Sequence, residues 1–361
     1  MTDAGRTTPA TGSGSTGRTV HVVLPGDIDD PATPSGGNTY DRRVCAGLTD
    51  RGWAVHEHAV PGAWPSPGPA DRAALAAVLT AAPDDAVVLL DGLVASTVPD
   101  LLAPHADRLR LVVLVHMPFD DEAEGRALAA ARAVVTTSEW TRRRLLLRHP
   151  LRRDRIRVVP PGVTAAPLAP PGSTAGDRLL CVAPVTRHKG HDVLVDALTV
   201  LAEVPWTLVC AGALTREPDL VRRLRDQLAD VGLADRVRLA GPLTGAALDA
   251  AYAAADLLVL PSRGETYGMV VTEALARGLP VLTTRVGGLP EALGRTADGD
   301  LPGLLVPPDD PAALAGALSW WLGDDLLRAK LRSAAVGRRH TLTDWSVTTA
   351  SLAAVLEEVA G

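Results

Sequence analysis

From residue 19 onward the chain alternates short, continuous apolar runs with longer segments in which Ala and Leu recur at helical spacing. In the first half the apolar runs fall at 20–24, 53–58, 86–90, 111–116, 133–136 and 156–159. Helical patterns at 39–51, 71–81, 98–109, 122–131 and 139–147 separate them. The alternation breaks at Pro160-Pro161-Gly162 and then restarts, with apolar runs at 179–183, 207–211, 237–240, 257–260, 281–284 and 303–306. Helical stretches lie between these, clearest at 220–233 and 245–254, and a closing helical region covers 311–323, 326–338 and 344–359. Strands separated by helices of this length predict right-handed crossovers and parallel sheets.

Two such series imply two doubly wound α/β domains with a ligand cleft between them. The expected layout is a disordered tail over 1–18, a first domain over 19–164, a Pro/Ala/Gly-rich linker over 165–176 and a second domain over 177–343. The last helix, 344–361, is expected to return to the first domain.

The second series holds the stretch richest in chemistry, 256–293. Its apolar run 257–260 breaks at Pro261-Ser262-Arg263-Gly264, and two carboxylates follow, Glu265 and Glu273. Between them Gly268 precedes Met269-Val270-Val271, which reads as a helix start. A second run at 281–284 leads into Gly287-Gly288-Leu289-Pro290-Glu291. Strand, glycine-containing turn and helix start, twice over, is the layout of a parallel sheet whose turns face a phosphorylated ligand.

Composition narrows the possibilities. The formal net charge of -6 argues against a polyanion-binding surface. With 7 Trp, 3 Tyr and 1 Phe the chain lacks stacking platforms for single-stranded nucleic acid. Cys45, Cys181 and Cys210 each sit among apolar neighbours, as buried free thiols of a cytoplasmic protein would. No run approaches the roughly 18 apolar residues of a membrane span. The N-terminus lacks the apolar core of a signal peptide. The Ala, Arg, Gly and Pro content is compatible with a GC-rich bacterial source.

Glu265 and Glu273 with seven residues between them, followed by Gly287-Gly288-Leu289-Pro290-Glu291, resemble the signature of retaining glycosyltransferases of the GT-B fold, family 4 (glycosyl transferases group 1). Arg187-His188-Lys189-Gly190 is similar to that family's basic phosphate loop. Gly36-Gly37, His116 and Pro161-Gly162-Val163 match in kind and order. The resemblance covers nearly everything from residue 19 and is strongest over 179–293. Tyr267 stands where the family often has Phe, and Thr164 where it often has Asp. It implies a nucleotide-sugar donor, UDP-, GDP- or ADP-linked, and a hydroxyl acceptor.

On that resemblance Arg187 and Lys189 clamp the donor diphosphate, a task suited to a guanidinium and an ammonium. An isolated pair of this kind is ordinarily two solvated cations; its place after a strand, in family order, favours the clamp. Glu265 supports positive charge developing at the anomeric carbon, and Glu273 holds the ribose hydroxyls. Amides around Gly268, Met269 and Val270 face the phosphates. Gly36 and Gly37 let the first domain's backbone approach the donor. A lone His is more often structural, but the resemblance places His116 near the transferred sugar, as a positioning group.

No Asp-x-Asp motif stands near a donor strand end, so no metal and no cofactor are expected. Asp29-Asp30, Asp84-Asp85 and Asp120-Asp121 read as loop or cap residues. Arg142-Arg143-Arg144 and Arg152-Arg153 read as a solvated face, with attachment to an anionic membrane the lesser reading. A small-molecule acceptor, a natural product or metabolite, fits better than a lipid. The alternatives are a nucleotide-sugar epimerase or hydrolase and, in a different class, a catalytically silent nucleotide-sugar-binding partner. The presence of both cations and both carboxylates speaks against silence.

Overall fold

The computed structural model describes residues 18–30, 34–170, 173 and 175–361. The predicted tail, apart from Arg18, and three positions of the predicted linker lie outside the described residues. The first lobe is built on strands β1 (Thr19–Pro25), β2 (Ala54–Val60), β3 (Val87–Asp91), β4 (Arg110–Val115), β5 (Ala133–Thr136) and β6 (Ile156–Val158). They form one sheet in the order β2-β1-β3-β4-β5-β6, every pairing parallel. The second lobe uses β7 (Arg178–Val182), β8 (Thr207–Ala211), β9 (Val237–Gly241), β10 (Leu257–Leu260), β11 (Val281–Thr284) and β12 (Gly303–Val306). Their order is β12-β11-β10-β7-β8-β9, again all parallel. Each sheet therefore reverses direction of growth beside its first or central strand, which opens a crevice at the carboxyl ends of the strands.

The central strands are apolar on both faces because helices cover both. Every residue of β4 after Arg110 is buried, as is all of β10. In the first lobe Val88, Leu90, Leu111 and Val113 pack on one side and Leu89, Val112 and Leu114 on the other. The second lobe closes around a single larger core containing Leu179, Leu208, Leu258 and Leu282. Asp256, buried just before β10, accepts from the Arg178 amide at 2.9 Å and the Ser173 amide at 2.8 Å. Those bonds tie the start of the second lobe to its central strand.

Two expectations are corrected. The first helix runs Gly36–Asp50, not from residue 39, because the Ser35 hydroxyl accepts from the Asn38 amide and caps it earlier. Gly36 and Gly37 are thus in a helical first turn rather than a loop. The helix expected over 98–109 is two short pieces, Pro99–Leu102 and a 3₁₀ turn Ala103–His105, with a further short helix, Gly92–Ala95, directly after β3. Pro104 breaks the run by removing a backbone donor, whereas Pro99 opens the first piece at a position that needs none. Residues 165–170, the described start of the expected linker, are packed down. Ala166 and Ala169 are buried, and Arg339 and Arg332 donate to the carbonyls of Ala166 (2.6 Å) and Ala169 (3.2 Å).

The chain crosses between the lobes twice, and the crossings run side by side. Val163 donates to the Thr343 carbonyl at 2.9 Å, and Gly162 lies so close to residues 344–345 that a Cβ there would meet the Asp344 carbonyl carbon at 2.5 Å. The last helix, Trp345–Ala360, then packs Leu352, Val355 and Leu356 into the first lobe beside Val20 and Leu48. Trp345 meets Tyr40 edge-on at 5.8 Å, and the Thr348 hydroxyl donates to the Pro160 carbonyl at 2.9 Å. No helix among the described residues is long and apolar enough to cross a membrane.

Because Leu356 is fully buried in that contact, Leu356→Ala should lower unfolding free energy by about 2–5 kcal/mol in urea denaturation. A loss under about 1 kcal/mol would mean that the helix adds little to the first lobe's core.

Candidate active site

The loops after β7 and β10 are packed back to back at the mouth of the second sheet. Residues Arg187–Lys189 form a 3₁₀ turn that ends at Gly190, whose φ is +70° and whose absent Cβ would lie 2.2 Å from the Pro261 carbonyl oxygen. The Arg263 amide donates to the His188 carbonyl at 2.9 Å. The Arg263 guanidinium bonds Asp192 with two nitrogens at 2.8 and 2.9 Å and also pairs with Asp309. One guanidinium thus joins the loop after β10 to the helix after β7 and the loop after β12. Its paired carboxylates hold it firmly in the charged state.

Within this frame Lys189 and Glu265 form an ion pair, both side chains mostly buried. The turn at 287–288 supports Glu265 from behind. Gly288 donates to the Glu265 carbonyl at 2.8 Å, and Gly287 has φ +57° with the Glu265 oxygen 1.7 Å from where a Cβ would stand. Only glycine allows that approach. Gly268, φ +95°, starts helix Met269–Ala276 without a side-chain cap; the Val271 amide donates to the Gly268 carbonyl at 2.9 Å, and the amides of Met269 and Val270 before it stand at the helix start, where an i−4 partner is lacking. Glu273 lies on this helix and accepts from the Tyr252 hydroxyl at 2.9 Å. Burial pushes the Glu273 carboxyl up, opposed by the Tyr252 bond and by Arg277.

The structure therefore brings Lys189, Glu265, Gly268, Met269, Val270 and Glu273 to one edge. Arg187 is at the same edge but exposed; its amide donates to Glu217 at 3.1 Å, so this loop amide is already engaged.

From the first lobe, Gly36 approaches Met269, whose sulfur would be 3.3 Å from a Cβ, and Gly37 approaches the His116 ring at the same distance. What Gly36 and Gly37 accommodate in this structure is a side chain from each lobe. His116 follows β4 and its Nε2 is 2.8 Å from Asp41 Oδ1. Burial by itself would lower the His116 imidazole, but Asp41 and Asp91 push it up to about 9. Asp91 ends β3, accepts from the Leu93 amide at 2.6 Å, and is pushed up to about 8 by burial and by Asp41. One side-chain oxygen of Asp41, one of Asp91 and a ring nitrogen of His116 lie within 4.8 Å of one another.

Glu291 links the lobes. Its carboxylate accepts from the amides of Glu139 (2.7 Å) and Trp140 (3.2 Å), at the N-terminus of first-lobe helix Glu139–Arg148. The acidic pairs have other engagements: Asp121 caps helix Glu122–Ala130, Asp120 pairs with Arg144, and Asp29 pairs with Arg42. Asp84 and Asp85 pair with Arg108 and Arg110.

Residues missed by reading the sequence are Asp41, Asp91, Tyr252 and Arg263. None stands in a recognisable local pattern, although a buried position for Asp91 follows from its place at the end of the apolar run 87–90.

A family model described as Glycosyltransferase Family 4 matches residues 17–166, and one described as Glycosyl transferases group 1 matches residues 176–324. A D-inositol 3-phosphate glycosyltransferase of Jonesia denitrificans is 35% identical over 225 residues, 56% of this chain and 51% of that protein. Another of Salinispora arenicola is 34% identical over 262 residues, 65% of this chain and 56% of that protein. The chain thus spans about half the length of the curated relatives it matches. Among solved structures, a glycosyltransferase of Rickettsia africae ESF-5 superposes with TM-score 0.76 at 19% identity, covering 95% of this chain and 99% of that one. Anabaena Alr3699/HepE in complex with UDP-glucose superposes with TM-score 0.73 at 19% identity, covering 94% and 99%. These structures share the fold, two Rossmann-like lobes.

Tyr252→Phe removes a donor from the half-buried Glu273 carboxylate. It should lower stability by about 1–3 kcal/mol, with Glu273→Gln in the same background recovering part of the loss. Equal urea midpoints for Tyr252→Phe and wild type would show that the hydroxyl does not hold Glu273.

Proposed function

The chain belongs to the family 4 glycosyltransferases, its two halves matching the family's two domains, and from that premise we propose that it moves a sugar from a nucleotide diphosphate to a hydroxyl of a small acceptor. The observation that carries this reading is the Lys189–Glu265 pair at the mouth of the second sheet, beside the uncapped helix start at Gly268. A cation and free amides suit a diphosphate whose charge grows as the glycosidic bond breaks. When the donor's phosphate arrives, Lys189 can turn from Glu265 to the phosphate oxygens. The released carboxylate then faces the sugar, whose anomeric carbon becomes positive.

Arg187, exposed at the same turn, closes on the diphosphate from outside. Glu273, braced by Tyr252, accepts from the ribose hydroxyls. His116 approaches from the opposite lobe and positions the transferred sugar. Retention of configuration follows from attack on the face the leaving phosphate vacates, with that phosphate receiving the acceptor's proton.

A UDP-linked donor is supported by the Anabaena structure holding UDP-glucose. A small phosphorylated polyol as acceptor is supported by the relatives' name, D-inositol 3-phosphate glycosyltransferase. The residues named above supply cationic and amide donors for the diphosphate, so transfer requires no metal.

Calorimetry with UDP, GDP and ADP on the full chain should show binding of one nucleotide in preference to the others, undiminished by EDTA. Absence of binding to all three would sink the donor assignment, and binding restored only by a divalent ion would sink metal independence. Glu265→Ala should lower transfer by about 10²-fold or more while the nucleotide still binds; transfer at the wild-type rate would remove Glu265 from the chemistry.

A further inference from the structure

We infer that Asp91, Asp41 and His116 form one proton-sharing unit in which a protonated Asp91 donates to an ionised Asp41, and Asp41 in turn holds His116 as an imidazolium facing the cleft. Asp41 and Asp91 are then positioning residues for His116. The inference rests on the glycosyl-transfer reading only for what His116 faces; the protonation stands on this chain's own side chains.

The geometry is as follows. Asp41, on helix Gly36–Asp50, is 1% exposed, and Asp91, at the end of β3, is 4% exposed. Asp41 Oδ1 is occupied by His116 Nε2 at 2.8 Å, while Oδ2 is buried with no hydrogen-bond partner among the described groups. Asp91 Oδ1 is occupied by the Leu93 amide. An oxygen of each carboxylate lies within 4.8 Å of the other and both side chains are buried, so ionising both is strongly disfavoured. A proton on Asp91 removes the repulsion and gives the orphaned Asp41 oxygen a donor, as in other buried carboxylate pairs that share one proton.

The choice of Asp91 as the proton's holder follows from what lies on the other side. Asp41 has the His116 ring against it, and a positive imidazolium favours a negative Asp41. Among the described residues, the further titratable group seen against the ring is Tyr40, edge-on at 5.2 Å. Its hydroxyl donates to the Val159 carbonyl at 3.0 Å, and burial keeps it well above the usual tyrosine value, so it stays neutral. The elevated His116 and Asp91 values agree with this distribution. The unit carries no net charge as a whole, yet it presents a cation at its cleft end.

The consequence is chemical. With Nε2 committed to Asp41, His116 Nδ1 is a donor at neutral pH and cannot accept a proton from the incoming hydroxyl. His116 binds oxygen and supports negative charge; it is not the base.

The test is a pH titration of the ¹⁵N-histidine-labelled full chain, followed by ring nitrogen shifts. His116 is identified among the nine histidines by loss of its signal in His116→Gln. Wild-type His116 should remain protonated at pH 8. Asp41→Asn should bring its midpoint to or below the ordinary imidazole value of about 6.5. Asp91→Asn, which keeps a donor to Asp41 but removes the charge Asp91 gains at higher pH, should lower the midpoint by less than Asp41→Asn does. Asp41→Glu, which keeps the charge, serves if Asp41→Asn does not fold, and should keep the midpoint raised.

The proposal is overturned if wild-type His116 titrates near 6.5, if Asp91→Asn shifts it as far as Asp41→Asn does, or if the purified chain holds a divalent ion whose removal changes the His116 signals. UDP calorimetry on the same samples separates the two readings. Loss of nucleotide binding in the wild type would strike the glycosyl-transfer reading and leave the titration standing.

Discussion

The arrangement of the loops at the mouth of the second lobe's sheet depends on the bonds made by Arg263. Three loops, emerging from β7, β10 and β12, must lie at fixed heights for Lys189, Glu265 and the helix start at Gly268 to share one edge. Loops at the ends of parallel strands have no ladder bonds to set their height. The guanidinium supplies that restraint through Asp192 and Asp309, and the Arg263 backbone adds a bond to His188. Arginine suits the position because its planar fork engages more than one carboxylate while remaining charged. Close backbone approaches at Gly190, Gly287 and Gly288 complete the frame from the other side.

Much of this was legible in the residues, for a physical reason. Strands buried on both faces appear as unbroken apolar runs, and both six-stranded series were visible as such, most with ends displaced by one or two residues. Glu265 and Glu273 could be found because turn, glycine and helix start lie next to them in the chain. What escaped depends on contacts between distant segments. Tyr252 meets Glu273 across 21 positions, Arg263 meets Asp192 across 71, and His116 meets Asp41 across 75. None of the partners advertises the other. The early start of the first helix was missed because Gly36 and Gly37 are weak helix formers, and the Ser35 cap overrides that weakness.

The two lobes contribute different kinds of electrostatics to the cleft. The second lobe offers a lysine paired with a glutamate, which on the proposed reading exchanges that partner for a phosphate. The first offers a histidine bonded to a buried carboxylate, with a second carboxylate close behind it. Between them, Glu291 of the second lobe satisfies two amides at a helix start of the first. That contact is polar and small, unlike the apolar contact made by the closing helix.

The side-by-side crossings carry a consequence for how the chain comes into being. The second lobe's strands are contiguous, from Arg178 to Val306, but the first lobe's second face is finished by residues 345–360. During synthesis the first six strands leave the ribosome with Val20, Leu48 and Leu89 lacking their final cover, and they stay so while nearly two hundred further residues are added. At about 5–20 residues per second that interval lasts on the order of ten seconds or more. The lobe that is made first is thus the last to be completed, and its open apolar face is the part of the nascent chain most exposed to misassociation.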